Sequence, residues 1–522
     1  MITLIGIHGR RRGLLVAALL AFGSATATGV TTASASSMPP DAAAGLDVDT
    51  TLGAVHGAPS AEAAVRAFLT IPYAAPPTQA NRWLPPQPHA GWTDPLEATE
   101  PGPACPQLPF RLEGVLDIPE GDEDCLTLSV WSAAGAADLP VMVWLHGGSL
   151  LTGSAHQPMY NGDQLAGRGA VVVGVNYRLG ALGFLATDEM RAADGPAGNF
   201  GFLDQVAALE WVRDNIANFG GDPANVTIFG ESAGALSVCG HLASVPSAGL
   251  FQKAVVQSGG GCGRANPVDD AVVTGAAFQE SFGCADLACL RAIPADRLIE
   301  PEFNAQILDD GSSITTDARS LAAAGELAGV PILIGSTADE ATLFTVGLPE
   351  PSDDEIGTRL TAVGADPAVV LPIYPAADFA DNSARYNTIY TDIGFVCPTL
   401  AFAAAAPDQT YVYHYTHVPE SAMAALGATH GSELVPLFGH PEGLPVLGTD
   451  TLPSPTQAVS DTLQAAWVSF ATTGSPGEAW ATYGIDGVIA VIGDEQSQTT
   501  GAEIRDGRCR QLTDAVGGNW PS

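Results

Sequence analysis

The sequence has almost no lysine, and its charge is strongly of one sign. Lys253 is the single lysine, and 20 basic residues stand against 57 acidic ones, which gives a formal net charge of −37 over 522 residues. Proteins that bind nucleic acids need clusters of basic side chains to neutralise phosphates. The charge balance therefore argues against a nucleic-acid partner.

Other absences in the sequence exclude further classes of protein. Beyond the N-terminal region the sequence has no run of about 18 apolar residues, so we expect no transmembrane segment. The eight cysteines include neither a Cys-x-x-Cys pair nor the Cys/His spacing of a zinc site, so we expect no metal. No internal repeat or heptad period is visible, which argues against repeat and coiled-coil architectures.

The N-terminal region has the pattern of an export signal. Arginines at positions 10–12 precede an apolar run over residues 14–22, which is too short to span a bilayer. Small residues follow, and the Ala-Ser-Ala at 33–35 fits a signal-peptidase site, with residues 25–27 as a second candidate. A twin-arginine signal is an alternative export route. We therefore expect residues 1–35 to be a signal peptide and the protein to be secreted to the extracellular space or cell envelope.

Short apolar segments alternate with helical patterns over most of the remaining chain. Residues 36–49 are small and polar and predict a flexible leader. The apolar segments predict strands at residues 141–145, 170–175, 226–229, 254–257, 331–334 and 411–415. Helical spacing predicts helices at residues 206–216 and 456–472, and Asp204 is the predicted cap of the first of these helices. This alternation favours an α/β fold with a large, mostly parallel central sheet flanked by helices, in a single domain over residues 50–518.

The most specific chemical signal is a Gly-x-Ser-x-Gly motif over residues 230–234, with Ser232 at its centre. An apolar strand pattern enters the motif and a helical pattern leaves it, which is the context of a nucleophile elbow. The sharp turn requires small residues at Gly230 and Gly234, and the following helix directs its positive end toward developing negative charge. The alternative is a tight glycine turn with an ordinary serine, but the motifs that follow favour a nucleophile.

A serine hydroxyl needs a general base before it can act as a nucleophile. His430 lies in a polar loop downstream and is the candidate, whereas His146 belongs to a glycine loop that it would brace. A carboxylate must orient the base. Asp339 and Glu340 both follow a predicted strand, at the sheet end where α/β sites form. The residues alone leave the choice between these two carboxylates open.

The segment His-Gly-Gly-Ser at residues 146–149 follows the first predicted strand. Backbone N–H groups of a glycine loop can approach a substrate closely because few side chains intervene. The N–H groups of Gly148 and Ser149, with that of Ala233 directly after Ser232, are candidates to stabilise the oxyanion of a tetrahedral intermediate. A plain turn is the alternative.

Several segments resemble motifs of the type B carboxylesterases, the family that includes cholinesterases and bacterial para-nitrobenzyl esterases. These segments lie at residues 71–77, 123–126, 176–180, 198–201, 208–234, 339–340 and 430–434. The run that ends in the serine motif is the most specific of them. The resemblance implies an α/β-hydrolase fold and a triad of Ser232, Glu340 and His430. It also implies an oxyanion hole formed by Gly148, Ser149 and Ala233.

Three departures from the family pattern matter. Ser149 stands where many members have glycine or alanine, although its backbone N–H can still donate. Ala341 stands after Glu340, where glycine is usual. No tryptophan occurs between Cys105 and Cys125, where cholinesterases use one to hold a quaternary ammonium group, so a preference for choline esters is not indicated.

An even number of cysteines behind an export signal indicates disulfides. The resemblance to the family suggests which cysteines pair: Cys105 with Cys125, Cys284 with Cys289, and Cys397 with Cys509. Cys239 and Cys262 remain, and the sequence leaves open whether they pair or stay as small core residues.

The resemblance implies a serine carboxylesterase that hydrolyses small-molecule esters with water and needs no cofactor, and the export signal implies that it is secreted. Glu231, beside the nucleophile, and Glu433, after the base, are candidates to support the imidazolium of His430, with surface charges as the alternative. A lipase or sterol esterase with a hydrophobic lid is a second interpretation. A non-catalytic, neuroligin-like adhesion protein is a third, which the presence of serine, acid, base and glycine loop together argues against.

Overall fold

The structure is a computed structural model, and it describes residues 45–108, 118, 120–192, 196–263, 266–300, 303–327, 329–421, 423–441 and 451–516. The predicted signal peptide, residues 1–35, lies outside these ranges.

The strands of the described residues are β1 (Asp47–Thr50), β2 (Gly53–His56), β3 (Ala58–Pro59), β4 (Val65–Pro72), β5 (Leu96–Glu97), β6 (Thr127–Ala133), β7 (Leu139–Leu145), β8 (Val171–Val175), β9 (Gly221–Glu231), β10 (Lys253–Gln257), β11 (Asn266–Pro267), β12 (Leu308–Asp309), β13 (Ile332–Thr337), β14 (Thr410–Tyr415), β15 (Val488–Ile492) and β16 (Gln496–Thr500). The α-helices of the same residues are α1 (Asp163–Gly167), α2 (Gly180–Phe184), α3 (Asp188–Ala192), α4 (Phe200–Asn215), α5 (Ala233–Ala243), α6 (Val268–Ser281), α7 (Leu287–Arg291), α8 (Ala318–Ala324), α9 (Thr342–Thr345), α10 (Asp353–Ala362), α11 (Pro367–Val370), α12 (Asn382–Thr391), α13 (Cys397–Ala405), α14 (Leu434–Phe438), α15 (Ser454–Thr473) and α16 (Arg508–Val516).

One large sheet dominates the described residues. It contains 11 strands in the order β16-β15-β14-β13-β10-β9-β7-β8-β6-β4-β3. The strands from β15 to β8 pair in parallel, whereas β6, β4 and β3 at one edge and β16 at the other pair antiparallel. The sheet is therefore parallel at its centre, as predicted, and mixed as a whole.

The central strands are buried on both faces. Along β7, Val141, Val143 and Leu145 face one apolar layer, which α4 and α5 complete. Met142 and Trp144 face the other layer, which α14 and α15 complete. Burial on both faces explains why these strands appear in the sequence as continuous apolar runs instead of alternating patterns.

The structure corrects two boundaries predicted from the sequence. Helix α4 begins at Phe200, so Asp204 lies inside it and does not cap it. The Asp204 carboxylate instead forms a buried ion pair with Arg178, with 2.7 Å between Oδ1 and Nη2. Of the predicted leader, residues 36–49, residues 36–44 lie outside the described ranges, and the part from Asp47 onward is strand β1, which pairs with β2. Composition alone shows neither the ion pair nor the strand pairing.

Four disulfides connect all eight cysteines. The three pairs implied by the family resemblance are present, namely Cys105–Cys125, Cys284–Cys289 and Cys397–Cys509. Cys239 and Cys262, which the sequence left open, also form a disulfide, with 5.1 Å between their Cα atoms. Such a set of disulfides indicates an oxidising environment.

One helical run among the described residues, Asn382–Ala405, is long and apolar enough to cross a membrane. It comprises α12, a π-helical turn at Asp392–Val396 and α13. However, 72% of its apolar window is buried inside the protein, which is typical of a core helix. The lack of a transmembrane segment stays a prediction.

Candidate active site

The carboxyl ends of five neighbouring strands meet at one edge of the sheet. The glycine loop follows β7, Ser232 follows β9, Ser258 follows β10, Glu340 comes shortly after β13, and the loop with His430 follows β14. Since these strands are parallel neighbours in the sheet, they bring side chains that are distant in the sequence to the same place.

Ser232 occupies the sharp turn between β9 and α5. Its backbone has φ 57° and ψ −121°, a strained conformation for a residue with a side chain. The Ser232 N–H donates to the Gln257 carbonyl at 2.9 Å, which holds the turn against β10. A Cβ at Gly230 would lie 2.5 Å from the backbone of Gly234, and one at Gly234 would lie 1.9 Å from the Leu145 carbonyl oxygen. Only glycine fits at these two positions.

Glu340 and His430 are in direct contact. Oε2 of Glu340 lies 2.5 Å from Nδ1 of His430. Oε1 accepts hydrogen bonds from the Ser258 hydroxyl at 2.6 Å and from the Thr337 N–H at 2.8 Å. The carboxylate is thus fixed by two donors, and it fixes the imidazole in turn, which leaves Nε2 for chemistry.

Asp339, the competing carboxylate, has a different partner. Its Oδ2 accepts from the Ala428 N–H at 3.0 Å, and its own N–H donates to the Ala428 carbonyl at 2.9 Å. Asp339 therefore ties its own loop to the loop that carries His430, while Glu340 reaches the histidine. Ala341, which replaces the usual glycine, has φ −70°, a conformation that does not require glycine.

The other ring nitrogen of His430 faces the segment that carries the serine. Nε2 lies 3.0 Å from Oε1 of Glu231, the residue before Ser232. Nε2 makes no hydrogen bond to Ser232 or to any other described residue. In enzymes without bound substrate, the hydrogen bond between a serine and a histidine of this kind is often long or poorly aligned, and it tightens only when substrate binds. Ser232 and His430 are both buried, at 7% and 8% exposure.

Two buried carboxylates, Glu231 and Glu340, place negative charge beside His430, and a third glutamate, Glu433, is buried near them. Burial by itself lowers the pKa of His430, but the carboxylates of Glu231 and Glu340 act in the opposite direction and raise it well above its usual value. Burial and the same two carboxylates raise the pKa of Glu433 to about 8. Glu231 and Glu433 are 4% and 0% exposed, so they are not surface charges.

The glycine loop after β7 packs against the serine. A Cβ at Gly147 would lie 3.1 Å from the Ser232 Cβ. The His146 ring stacks on Tyr177 with 4.4 Å between centroids, and the Tyr177 hydroxyl donates to the His146 carbonyl at 2.6 Å. Burial lowers the pKa of His146 to about 4, so it is a neutral brace for the loop. Gly148 and Ser149, the candidate oxyanion donors, lie in this loop, and Ala233 begins α5.

Two expectations about the site remain predictions. Within the described ranges, no three His, Cys, Asp or Glu side chains are grouped as metal ligands, and the expectation that the protein needs neither metal nor cofactor stays a prediction. Part of the loop between Cys105 and Cys125, in which tryptophan is lacking, lies outside the described residues at 109–117 and 119.

Comparison with known proteins decides the family. The model of the "Carboxylesterase family" matches residues 44–505. The chain belongs to this family. It is a carboxylic ester hydrolase with the α/β-hydrolase fold, and small-molecule esters and water are its reactants. The adhesion interpretation is therefore set aside.

Relatives of this carboxylesterase are similar over nearly their whole length. The para-nitrobenzyl esterase of Bacillus subtilis (strain 168) is 34% identical over 485 residues, covering 86% of this chain and 97% of the relative. The fumonisin B1 esterase of Sphingopyxis macrogoltabida is 34% identical over 487 residues, covering 87% of each. The solved structure of a thermophilic PNB esterase has a TM-score of 0.80 at 32% identity, covering 89% of this chain and 99% of that one.

Sequence analysis missed several side chains in the active-site region of this carboxylesterase. Ser258 holds Glu340, and its place directly after a predicted strand was a signal that could have found it. Phe344 and Phe395 flank the imidazole of His430, with ring centroids 4.9 and 5.3 Å away. Phe395 lies in the π-helical turn, and nothing in the local sequence indicates its proximity to His430.

Proposed function

We propose that this carboxylesterase works through an acyl-enzyme on Ser232, with His430 as general base and Glu340 as the acid of the triad. The observation that carries the proposal is the 2.5 Å contact between Glu340 and His430 Nδ1, at the sheet edge where Ser232 occupies its strained turn. A serine presented by such a turn, a base and a fixed carboxylate are the parts that acyl transfer requires.

The reaction has two halves. His430 Nε2 accepts the Ser232 hydroxyl proton as the serine oxygen attacks the ester carbonyl. The resulting imidazolium then donates that proton to the leaving alkoxide, and the acyl group stays on the serine. Water, deprotonated by His430, attacks the acyl-enzyme, and the imidazolium then returns the proton to the Ser232 oxygen as the carboxylic acid leaves. The negative charges of Glu231 and Glu340 favour the imidazolium that forms in each half-reaction.

The backbone N–H groups of Gly148, Ser149 and Ala233 are the proposed oxyanion hole. Their support is the close packing of the glycine loop on Ser232 and the start of α5 at Ala233, where the positive end of the helix dipole lies. Losing one such donor typically reduces the rate about 100- to 1000-fold.

The proposal includes export from the cell. The four disulfides support an oxidising compartment. The pattern of residues 1–35 supports removal of a signal peptide.

A second candidate function is a lipase. The apolar side chains of Leu343, Val346 and Leu348, directly after Glu340, are 37%, 60% and 43% exposed. Exposed apolar side chains this close to Glu340 in the sequence support a substrate with a long acyl chain. A sharp rise in activity above substrate micellisation, with an optimum at long acyl chains, would support the lipase function over the esterase function.

The test is hydrolysis of para-nitrophenyl esters of increasing acyl length by the wild type and by Ser232→Ala. We expect the variant to lose about 10⁶-fold in kcat. Ser237→Ala, which removes another buried serine hydroxyl from the same helix, is the matched control and should keep most of its activity. Equal activity of Ser232→Ala and wild type would overturn the acyl-enzyme mechanism. A fluorophosphonate probe that labels the wild type but not Ser232→Ala would independently support it.

A further inference from the structure

The glycine loop contains a strained turn that needs support from outside. Ser149 and Leu150 are consecutive residues with side chains, and both have φ 58°, in the left-handed region. Residues with side chains are strained in this region, and they persist there only where surrounding contacts determine the conformation. One contact is the hydrogen bond from the Gly180 N–H to the Leu150 carbonyl at 2.7 Å.

Gln107 supplies a larger set of contacts from a different part of the chain. Its Oε1 accepts from the Thr152 hydroxyl at 2.6 Å and from the Gly153 N–H at 2.8 Å. Its Nε2 donates to the Gly153 carbonyl at 2.8 Å and to the Cys105 carbonyl at 3.0 Å. A side-chain amide has two acceptor and two donor positions, so all four are used. Three of the four hold residues 152 and 153.

Both residues pack against the glycine loop, and Thr152 touches the candidate oxyanion donor Gly148 directly. Thr152 donates its N–H to the Gly148 carbonyl at 3.0 Å, and a Cβ at Gly148 would lie 2.0 Å from the Thr152 carbonyl oxygen. A Cβ at Gly153 would lie 2.6 Å from the Gly147 carbonyl oxygen. The loop thus folds back on itself with no space between its two arms, and Gln107 holds the outer arm.

Gln107 is itself anchored. Its neighbour two positions earlier, Cys105, is buried and joined to the buried Cys125 by a disulfide. Cys125 lies two residues before β6, so the disulfide connects the backbone that carries Gln107 to the frame of the sheet.

We propose that Gln107 is a positioning residue that holds the oxyanion-hole loop in its strained conformation. This proposal rests on the proposed function. The four hydrogen bonds keep Thr152 and Gly153 in place, and these residues keep the N–H groups of Gly148 and Ser149 directed at the oxyanion. Gln107 touches no reacting atom.

The test is the isosteric variant Gln107→Glu, which keeps the volume but loses both donors and places a carboxylate against two carbonyl oxygens. We expect kcat to fall about 10- to 100-fold with KM little changed, because a displaced donor weakens binding of the transition state more than of the substrate. The affinity for a trifluoromethyl ketone, which forms a tetrahedral adduct with the serine, should fall by the same factor as kcat/KM. A residue that only stabilises the fold would not produce this correlation.

Gln87→Ala is the matched control, because its side-chain amide also donates to a loop carbonyl, that of Pro85 at 2.8 Å, but lies outside the glycine loop. It should leave kcat and ketone affinity unchanged. Thr152→Val removes one of the four bonds and should have a smaller effect in the same direction, which Thr152→Ser should reverse. This pair decides the question if Gln107→Glu does not fold.

A folded Gln107→Glu with wild-type kcat and ketone affinity would refute the positioning role. Labelling by a fluorophosphonate separates this failure from failure of the proposed function. If the wild type is labelled on Ser232, the acyl-enzyme mechanism stands and only the role of Gln107 is wrong. If Ser232 is never labelled, the failure belongs to the proposed function.

Discussion

Glu231 and Glu340 contact the two ring nitrogens of His430 from opposite sides. Replacing the first carboxylate by its amide, Glu231→Gln, removes a negative charge 3.0 Å from Nε2. The pKa of His430 should therefore fall, so the base stays neutral in more acidic solution and the acid limb of the kcat/KM profile moves to lower pH. We also expect kcat to fall on the order of tenfold, since one pKa unit corresponds to about 1.4 kcal/mol. Steady-state kinetics across the neutral pH range measure both effects.

The control for this prediction is Glu210→Gln, which makes the same charge change at an exposed position of α4. Its pH profile should match that of the wild type. A shift of the acid limb to higher pH in Glu231→Gln, or equal shifts in both variants, would contradict the assigned electrostatics.

At the residue scale, residues that lie in short motifs could be predicted from the sequence, whereas contacts between distant residues could not. Ser232 could be singled out because glycine on either side and a strand-to-helix change are local properties of the sequence. Asp339 and Glu340 could not be separated from the residues alone, because which of them reaches His430 depends on how two loops from neighbouring strands meet. Phe395 could not be found at all for the same reason.

At the scale of elements, the disulfides differ most in the length of chain that they close. Cys397–Cys509 closes 112 residues and ties α16 to α13, whereas Cys284–Cys289 closes 5 residues. Replacing each pair by alanines should lower the free energy of unfolding by about 5 and about 2 kcal/mol respectively, because the longer loop restricts the unfolded chain more. Denaturant or thermal unfolding of the two double variants measures the difference. Equal losses would show that native-state contacts, and not chain entropy, set the contribution.

The central strands were predictable because each is buried on both faces and appears as an apolar run between turn residues. The start of α4 was not predictable, because aspartate is a typical helix cap but Asp204 lies inside the helix, where it pairs with Arg178. The π-helical turn at Asp392–Val396 was also missed. The buried carboxylate of Asp392 in this turn accepts hydrogen bonds from Arg505 and Tyr374. Neither partner lies in the same helix, so the local sequence does not show these contacts.

At the scale of the whole molecule, the net charge of −37 is the dominant property. Like charges repel more in the compact state than in the unfolded chain, and salt screens them, with a Debye length of about 30 Å at 0.01 M and about 3 Å at 1 M. We therefore expect the unfolding midpoint to rise as sodium chloride increases over this range. Thermal unfolding followed by circular dichroism measures it. Potassium chloride should act equally, and a midpoint that falls with either salt would contradict the explanation.

The architecture could be predicted as a whole because strand and helix patterns alternate and because the family motifs span most of the chain. The edge strands of the sheet were harder to predict. The short strands β3 and β16 join it antiparallel, and their pairing depends on neighbours instead of on an apolar run of their own.

The bridge between Cys397 and Cys509 also determines how this molecule would respond to limited proteolysis. His430 lies within the covalent ring that the bridge closes, whereas Ser232 and Glu340 lie outside it. A single cut anywhere within this ring would leave two chains that remain joined through the disulfide. If the cut lies between Cys397 and His430, the disulfide alone tethers the histidine to the part of the protein that holds the serine, and a reductant would release it.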